Sequence, residues 1–433
     1  MKWIGMTLFS LGICCPASWG KTWTVGQPNT PCANPDYNTI GDAINAASAG
    51  DEIDVCPALY AEQLFITQPL TLRGLSQQGV GRVLIQPAQL TVGFDPFVAP
   101  ITVMNTSGVI IQNLAVDAGN NGVTGCTVAV AGIHFYNSSG LVDGAAISGA
   151  RLSDPLSCTA LFPGNGFGVE IDQDANANAS YTVTVLNTSI SDFGRNGILA
   201  VGSGETVDIE NNSIAGVGPS TGVNQFGIFL ARGANGRIAG NTITQGSCGA
   251  IPIADCYNLR SEGVVLRSAG QGVVIDGNTI SNVQAGIFLN GFTENAAVDD
   301  VRVTNNVISG VDALSAIHIQ GVSGGVFMGN RVFHVGPLTS DTSNDEEGCG
   351  LYDVSGTGSS ANRIVNNRVS DAYCGVGYVT GDQLEGNTFQ NTLYETLNGD
   401  NYPDAFPPAV EPGQQASPAG QTPMSPQLRK VQQ

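Results

Sequence analysis

Two short motifs recur along the chain at unequal intervals, and they constrain its fold more than any other feature. The first is an Asn that ends a short apolar strand pattern, as in IENNSI and IDGNTI. Its copies lie 20 to 37 residues apart, at Asn212, Asn241, Asn278, Asn306, Asn330, Asn367 and Asn387. The second is a small residue followed by apolar-x-apolar, at Gly132, Gly168, Gly197, Gly227, Gly263, Gly286, Ala316, Gly350 and Gly375. Because each unit is too short to bury its own apolar face, the units must stack.

The alternation within the second motif predicts which side chains form the core. In GIFL, Ile228 and Leu230 point inward while Phe229 points outward. The repeated Asn suits a tight bend, where we expect it to adopt left-handed backbone and to bond the equivalent Asn one coil away. Unequal spacing with a constant motif favours coils that carry loops of different length over a propeller with its steadier period.

These motifs and the N-terminal stretch resemble the pectin lyase-like superfamily. TIGDAINAASAGDEIDVCPALYAEQLFI, from Thr39 to Ile66, is similar to its N-terminal cap, and the Asn positions are similar to its asparagine ladder. The resemblance covers roughly residues 37–395 and implies an all-β, single right-handed parallel β-helix (a solenoid) with an N-terminal capping helix. It does not fix the chemistry, because this architecture hosts lyases, hydrolases, esterases, epimerases, adhesins and phage proteins.

The two ends of the chain differ from its repetitive body. Residues 1–20 have a basic Lys2, an apolar run and a small-residue cleavage site, which predicts a signal peptide and a secreted protein (extracellular, periplasmic or at the cell surface). Residues 21–60 are then the N-terminal cap and first strand, and residues 61–399 the parallel β-helix. Residues 400–433 are rich in Pro and Gln without periodicity, which predicts a disordered tail, with a spacer as the alternative.

The charge balance limits the partners. The chain has 36 acidic and 16 basic residues, and its lysines are confined to Lys2, Lys21 and Lys430. A nucleic-acid partner is excluded because no basic stripe exists, and the predicted body contains no membrane span. Pectate or alginate would be repelled unless cations or an arginine cluster intervened, and Arg232, Arg260 and Arg267 lie near one another in sequence.

The chain contains ten cysteines, and their number is consistent with a secreted protein that forms disulfides. Without Cys14 and Cys15 of the signal, eight remain. Their simplest pairing joins sequence neighbours: Cys32 with Cys56, Cys126 with Cys158, Cys248 with Cys256, and Cys349 with Cys374. Connectivity is not fixed by sequence, but the absence of any CxxC spacing favours structural disulfides over a metal cluster.

Two histidines occupy the outward position of the second motif, His134 in GIHF and His318 in AIHI. Stacking of consecutive coils would place His134 beside Glu170 and His318 beside Tyr352, about 5 Å away. Either pair could act as acid and base on a sugar; the alternative is a solvated surface pair without function. The motifs of pectin methylesterases, polygalacturonases and mannuronan epimerases are absent, and the missing lysines exclude a lyase with a Lys base.

Between these pairs the outward residues are apolar: Leu199, Phe229, Val265 and Phe288. An exposed apolar stripe is unusual, so we expect a loop to cover it, such as the one bearing Cys248 and Cys256. The alternative is an oligomer that forms through this stripe.

One acidic segment has the spacing of a calcium loop. DQDANAN offers Asp172, Asp174, Asn176 and Asn178 at alternate positions, and hard cations prefer such oxygen ligands. The central Gly and distal Glu of an EF-hand are missing, so a solvated acidic loop is the alternative.

Together these features predict a secreted solenoid with a carbohydrate-related role, binding or processing a polysaccharide or surface glycan, with the specific activity unassigned. One alternative is a non-catalytic surface, adhesive or structural protein. Another is a polysaccharide lyase or glycoside hydrolase with an atypical site. Whether the protein is an enzyme stays open at this stage.

Overall fold

A computed structural model describes most of the repetitive body. The described residues are 20–28, 32–76, 81–91, 97–119, 121–123, 128–152, 166–174, 179–218, 224–245, 261–291, 298–312, 314–336, 348–354 and 357–398. The predicted signal peptide, except Gly20, and the predicted tail of residues 400–433 lie outside these ranges. So do Cys126, Cys158, Cys248 and Cys256.

The described strands form three ladders that run along one axis. The first ladder contains β1 Thr22–Val25, β2 Asp51–Val55, β5 Leu70–Gly74, β9 Val109–Gln112, β12 Gly140–Asp143, β15 Tyr181–Leu186, β18 Glu205–Glu210, β21 Asn235–Ala239, β24 Val274–Asp276, β27 Arg302–Thr304, β30 Val326–Met328, β33 Arg363–Val365 and β35 Gln383–Glu385. The second contains short strands: β3 Leu59–Tyr60, β6 Leu84–Ile85, β10 Ala115–Asp117, β13 Ala146–Ser148, β16 Ser189–Ser191, β19 Ser213–Ala215, β22 Thr242–Thr244, β25 Thr279–Val283, β28 Val307–Val311 and β31 Arg331–Val335.

The third ladder carries most of the small-apolar-x-apolar motifs. It contains β4 Leu64–Ile66, β7 Phe97–Val98, β8 Ile101–Met104, β11 Ala129–Tyr136, β14 Gly166–Asp172, β17 Asn196–Val201, β20 Gln225–Ala231, β23 Ser261–Arg267, β26 Ala285–Asn290, β29 Ile317–Gln320 and β32 Cys349–Asp353. The long strands β34 Arg368–Tyr378 and β36 Thr388–Asn398 continue both the second and the third ladder.

All pairings between these strands are parallel, and equivalent motif positions face each other. Ile198 pairs with Ile228, and Ile228 with Val264. The inward residues of all three ladders merge into one apolar core along the axis. Ile228 and Leu230 belong to this core, whereas Phe229 belongs to a separate outer cluster, as the alternation predicted. The predicted all-β parallel β-helix is confirmed.

The seven repeated asparagines form a continuous ladder, buried except at its last member, Asn387, which is half-buried. In each of the six links, the main-chain N–H and the side-chain Nδ2 of one Asn donate to Oδ1 of the Asn in the next coil, at 2.9 to 3.0 Å. Nδ2 also donates to a main-chain carbonyl of an adjacent coil, for example from Asn278 to Ile238. The ladder therefore satisfies main-chain groups at a bend that lies away from water.

The backbone expectation for these asparagines was wrong by one position. The left-handed conformation belongs to the residue before each ladder Asn, for example Asn211 (φ 55°) and Asn305 (φ 56°), or to a Gly such as Gly277 (φ 65°). The ladder asparagine itself turns its side chain inward, so that its amide can reach the next coil. The bend thus uses two consecutive positions: the first adopts the left-handed backbone conformation, and the second, the ladder Asn, makes the hydrogen bonds.

A single helix, α1 (Ile40–Ala46), lies near the N-terminal end of the described chain. Its residues Ile40, Ala43 and Ile44 are buried, and Ile40 and Ile44 join the axial core. Both oxygens of Glu62 accept main-chain N–H groups of its first turn, from Ile40 at 2.9 Å and Gly41 at 2.8 Å. Across the described ranges, no helix has the length and hydrophobicity that a membrane crossing requires.

Two of the four predicted cysteine pairs lie within the described residues, and both are disulfides. Cys32 is bonded to Cys56 and Cys349 to Cys374. The second pair joins neighbouring coils in direct register. Each bond therefore closes a loop of the size of one coil, in line with local pairing.

Replacing one ladder asparagine should destabilise the solenoid strongly. In Asn278→Ala, the main-chain N–H and Nδ2 of Asn241 lose their acceptor in a buried site. We expect the free energy of unfolding to fall by about 2–4 kcal/mol in urea denaturation. The exposed neighbour Thr279→Ala is the matched control and should change stability by less than about 0.5 kcal/mol. Equal effects of the two substitutions would contradict this role.

A buried carboxyl near the C-terminal coils should make stability depend on pH. Asp353 is fully buried, and burial, with a smaller contribution from the charge of Asp382, raises its pKa to about 7 against hydrogen bonds from Ser359 and Asn362. Because the pKa in the folded state lies above that in the unfolded chain, its contribution is complete below about pH 4 and is lost as the pH rises to 7.

We therefore expect the free energy of unfolding to decrease between pH 4 and 7. One proton corresponds to a slope of roughly 1.4 kcal/mol per pH unit, and Asp353→Asn should remove that contribution to the slope. Chemical denaturation at a series of pH values measures it. Glu385→Gln, at an exposed carboxyl, should leave the curve unchanged. Superimposable pH curves for Asp353→Asn and the unaltered protein would contradict the assignment.

Candidate functional site

The outward positions of the third ladder form a continuous column, one residue per coil. Parallel pairing places the following residues next to each other in this order: His134, Glu170, Leu199, Phe229, Val265, Phe288, His318 and Tyr352. The predicted neighbours His134 and Glu170 are thus paired, as are His318 and Tyr352. Neighbouring strands lie about 4.8 Å apart, so these side chains are in contact range.

This column is buried, which overturns the picture of solvated histidine pairs. His134 is 2% and His318 0% exposed. The apolar stripe is buried too, with exposures from 2% at Val265 to 9% at Leu199 and Phe229. It packs in an outer cluster with Phe167 and Phe226. The loop expected to cover it, with Cys248 and Cys256, lies outside the described residues. An oligomer that forms through this stripe stays a prediction.

A cleft of about 400 Å³ opens beside the first half of the column. Its walls come from β7, β11, β14, β17 and β20, with Arg267 from the end of β23. The lining residues are Phe97, Ala129, Phe167, Glu170, Asp172, Gln173, Arg195, Asn196, Leu199, Val201, Phe229, Ala231, Arg232 and Arg267. One wall is therefore apolar and aromatic, and acidic and basic side chains face the same space.

Two carboxylates of β14 reach the cleft from the same side of the strand. Glu170 and Asp172 are two residues apart, so their Cα atoms lie about 6.6 Å apart. Glu170 is buried, whereas the side chain of Asp172 retains 17% exposure. His134 Nε2 lies 2.8 Å from Asp172 Oδ1 and does not line the cleft. His134 therefore orients Asp172 from behind instead of pairing with Glu170, as the sequence had suggested.

Three arginines also line the cleft: Arg195, Arg232 and Arg267. Burial, aided by the nearby positive charge of Arg267, lowers the pKa of the Arg195 guanidinium, and the charge of Glu170 acts in the opposite direction. Within the described ranges none of the three forms an ion pair. Of the cluster expected from sequence, Arg232 and Arg267 do meet here, Arg260 lies outside the described residues, and Arg195 was not foreseen.

Asn196 is the most informative neutral group of the cleft. It begins β17 and is 1% exposed, yet neither Oδ1 nor Nδ2 has a hydrogen-bond partner within the part of the chain that the structure describes. A buried amide without partners is unfavourable by about 1–3 kcal/mol for each group, so such groups are rare in folded proteins. Because Asn196 lines the cleft, a bound polar molecule can supply the missing bonds.

A second buried acid follows the turn that joins the third ladder to the first. Glu205 begins β18 and is 1% exposed, and among the described residues neither of its carboxyl oxygens has a hydrogen-bond partner. Burial, with a smaller contribution from the charge of Asp172, raises its pKa to about 8. Gln173 Oε1, also buried without a partner, lies over the same turn.

A smaller cavity of about 250 Å³ continues along the axis from the cleft. The two spaces share Phe229 and Arg267. The other lining residues of the smaller cavity are Asn224, Phe226, Glu262, Val265, Phe288, Asn290 and Gln320. A ligand longer than the cleft can therefore extend parallel to the solenoid axis past Arg267.

The second predicted histidine pair lies away from both cavities. His318 stacks on Phe288 with ring centroids 4.8 Å apart and an angle of 6° between the planes, and its centroid is 6.4 Å from that of Tyr352. Neither His318 nor Tyr352 lines the cleft or the smaller cavity. The pair is thus part of the buried outer packing near Cys349–Cys374.

The predicted calcium loop is only half described. Asp172 takes part in the cleft, and Asp174 is exposed, its main-chain N–H donating to Asn137 Oδ1 at 2.8 Å. Asn176 and Asn178 lie outside the described residues. In the part of the chain that the structure covers, no three His, Cys, Asp or Glu side chains converge as a metal site. Calcium binding by this loop stays a prediction.

Comparison with known proteins adds the family. A search of curated proteins found no match. Among solved structures, the Dettilon tailspike protein is 16% identical with a TM-score of 0.46; the similarity covers 82% of this chain but 63% of the tailspike. The A-module of a mannuronan C-5 epimerase from Azotobacter vinelandii is 15% identical with a TM-score of 0.45, covering 83% of this chain and 90% of the module.

A family 28 exopolygalacturonase from Yersinia enterocolitica is 12% identical with a TM-score of 0.44, covering 87% of this chain and 77% of the enzyme. The family model described as "Right handed beta helix region" matches residues 107–334, which contain most of the ladder and the whole cleft except Phe97. These 228 residues are more than half of the 433 in the chain. The protein therefore belongs to the right-handed β-helix family.

Proposed function

We propose that this protein binds an acidic saccharide in the cleft and hydrolyses a glycosidic bond there. The observation that carries the proposal is the composition of one cavity: two carboxyl groups, three arginines, and the buried amide of Asn196. Among the described residues, the arginines form no ion pair and the amide forms no hydrogen bond. Such a set suits a ligand that has both hydroxyl groups and negative charge. A purely apolar ligand would leave these groups unsatisfied.

The arginines explain how so acidic a chain can hold an anion. The formal net charge is −20, which by itself repels a polyanion. Arg195 and Arg267 lie close enough to influence each other, and a carboxylate or sulfate placed between them would relieve that repulsion. Guanidinium groups can bind such anions through two parallel hydrogen bonds. Phe97, Phe167 and Phe229 provide apolar surface against which a sugar ring can pack.

The carboxylates explain how a bond can be broken. Inverting glycosidases use two carboxyl groups about 6.5–9.5 Å apart, and the Cα spacing of Glu170 and Asp172 is compatible with that separation. Asp172 is the more exposed and can take a proton from an attacking water. Glu170, in its protonated form, donates its proton to the oxygen of the leaving sugar as the glycosidic C–O bond breaks and the oxygen of the water bonds to the anomeric carbon. His134, hydrogen-bonded to Asp172, positions the base without contacting substrate.

Two further assignments belong to this proposal: a place of action outside the cell and a cap at the N-terminal end of the core. The disulfides Cys32–Cys56 and Cys349–Cys374 fit an oxidising compartment, in agreement with the predicted signal peptide. Helix α1 is assigned as the cap of the N-terminal end of the core, because its apolar face packs on β1, β2 and β4. Without it, those core residues would meet water.

The test is incubation with neutral and acidic polysaccharides, following both reducing ends and the absorbance of unsaturated products. We expect reducing ends from an acidic polymer without unsaturated products. Glu170→Gln should lower the rate by at least about 100-fold while binding persists. Arg195→Gln should weaken binding of the acidic saccharide by about 10- to 100-fold, whereas Arg302→Gln, at an exposed position of β27 outside the cleft, should not.

Three results would count against this function. Unsaturated products would show elimination instead of hydrolysis. Tight binding without turnover, unaffected by Glu170→Gln, would show a binding protein. If the protein preferred a neutral polymer and Arg195→Gln did not change saccharide binding, the acidic substrate would be wrong.

A further inference from the structure

The cleft and the smaller cavity are lined by the same two columns of the third ladder. Strand pairing puts one flank in this order: Asp172, Val201, Ala231, Arg267, Asn290 and Gln320. The other flank runs through Phe167, Asn196, Phe226 and Glu262. Each of these residues lines one of the two spaces, and Arg267 lines both. The longer flank takes five steps of about 4.8 Å, or about 24 Å, so a ligand that fills both spaces is elongated along the axis.

The chemistry of the lining changes at Arg267. Three arginines line the cleft, whereas Arg267 is the one cation among the described residues that line the smaller cavity. Beyond it the polar groups are the amides of Asn224, Asn290 and Gln320 and the carboxyl group of Glu262. The ligand therefore meets positive charge on one side of Arg267 and mainly neutral polar groups on the other.

These two sets of groups match different sugar units. A guanidinium only donates hydrogen bonds, which suits a carboxylate or sulfate that only accepts them. A side-chain amide both donates and accepts, as does a sugar hydroxyl, and a carboxylate accepts from hydroxyls. Phe226, Phe229 and Phe288 add apolar surface to the smaller cavity, on which the carbon-bound hydrogens of a sugar ring can pack.

Glu262 makes the smaller cavity unfavourable for a second acidic unit. It is 2% exposed, and it is the one acidic residue among the described residues that line this space. An acidic unit bound between Arg195 and Arg267 already uses the shared cation. A second carboxylate would then lie in the same small space as Glu262 with no further arginine to balance it, and such a juxtaposition of like charges rejects a ligand.

We propose that the smaller cavity is a subsite for an uncharged sugar unit, and that the ligand is a heteropolymer in which a neutral unit follows an acidic one. Because Arg267 belongs to both spaces, the two units are neighbours in the polymer. A polymer made only of uronic acids would place a second carboxylate beside Glu262 and would bind less well. This inference rests on the acidic saccharide of the proposed function, but not on its hydrolysis.

The experiment measures binding by isothermal titration calorimetry to the full mature chain with Glu170→Gln, so that the ligand is not cleaved. The probes are a free uronic acid, the disaccharide of two such acids, and the disaccharide of that acid with glucose in either order, in a glucuronic and a galacturonic series. We expect one order of the mixed disaccharide to bind about 10-fold more tightly than the free acid, and the all-acidic disaccharide to gain nothing.

Variants in the smaller cavity assign the gain to its residues. Gln320→Ala, at a half-buried position, should weaken binding of the mixed disaccharide by about 10-fold and leave the free uronic acid unchanged. Gln383→Ala, at an exposed position of β35 outside both spaces, is the matched control and should change neither. Glu262→Gln should let the all-acidic disaccharide bind about 10-fold more tightly, because the like charge is removed.

Equal affinities for the mixed and the all-acidic disaccharide would overturn the subsite, and so would a Gln320→Ala variant that weakens all probes alike. In both cases the free uronic acid still binds, and the proposed function stands. If no uronic acid of either series binds, the acidic substrate of the proposed function is wrong and the subsite is overturned with it. Because Glu262 is buried, its variant is compared only if its melting temperature matches that of the parent, and the probes and Gln320→Ala decide without it.

Discussion

Parallel hydrogen bonding between consecutive coils is the constraint on which the rest of the structure depends. It holds each residue about 4.8 Å from its equivalent in the next coil, so every position of the repeat becomes a column along the axis. Columns that point inward form the apolar core, and the ladder from Asn212 to Asn387 fixes the bend between two of the three faces. A column that points outward is equally rigid, so the strands fix the position of any functional side chain in it.

The parts of the molecule that follow the repeat could be predicted from sequence. The inward and outward positions, the asparagine ladder and the pairing of His134 with Glu170 all follow from counting residues from a motif. The predictions that were wrong concern features that do not repeat from coil to coil. The hydrogen bond from His134 goes two residues further, to Asp172, because the side chain reaches along the strand and not straight across. The burial of the outward column depends on what packs over it, and a strand pattern contains no such information.

Arg195, Asn196 and Glu205 were missed for a related reason. They lie where a strand begins or a turn ends, at positions whose neighbours in the next coil are Phe226 for Asn196 and Ala234 for Glu205. A polar residue in a column of apolar ones is a signal that sequence does contain. To recognise it, one must know which residues of consecutive coils pair with each other. Because the loops differ in length, the sequence alone does not give that pairing at the turns.

Asn196 and Glu205 are also positions that lower the stability of the fold. A repetitive fold is expected to satisfy its buried polar groups with hydrogen bonds, and the asparagine ladder does so at every link. The amide of Asn196 and the carboxyl of Glu205 do not, although an apolar residue fits the same column one coil away. Asn196 lines the cleft together with Asp172. Because Asn196 lines the cleft, its unsatisfied amide is better explained by binding than by folding.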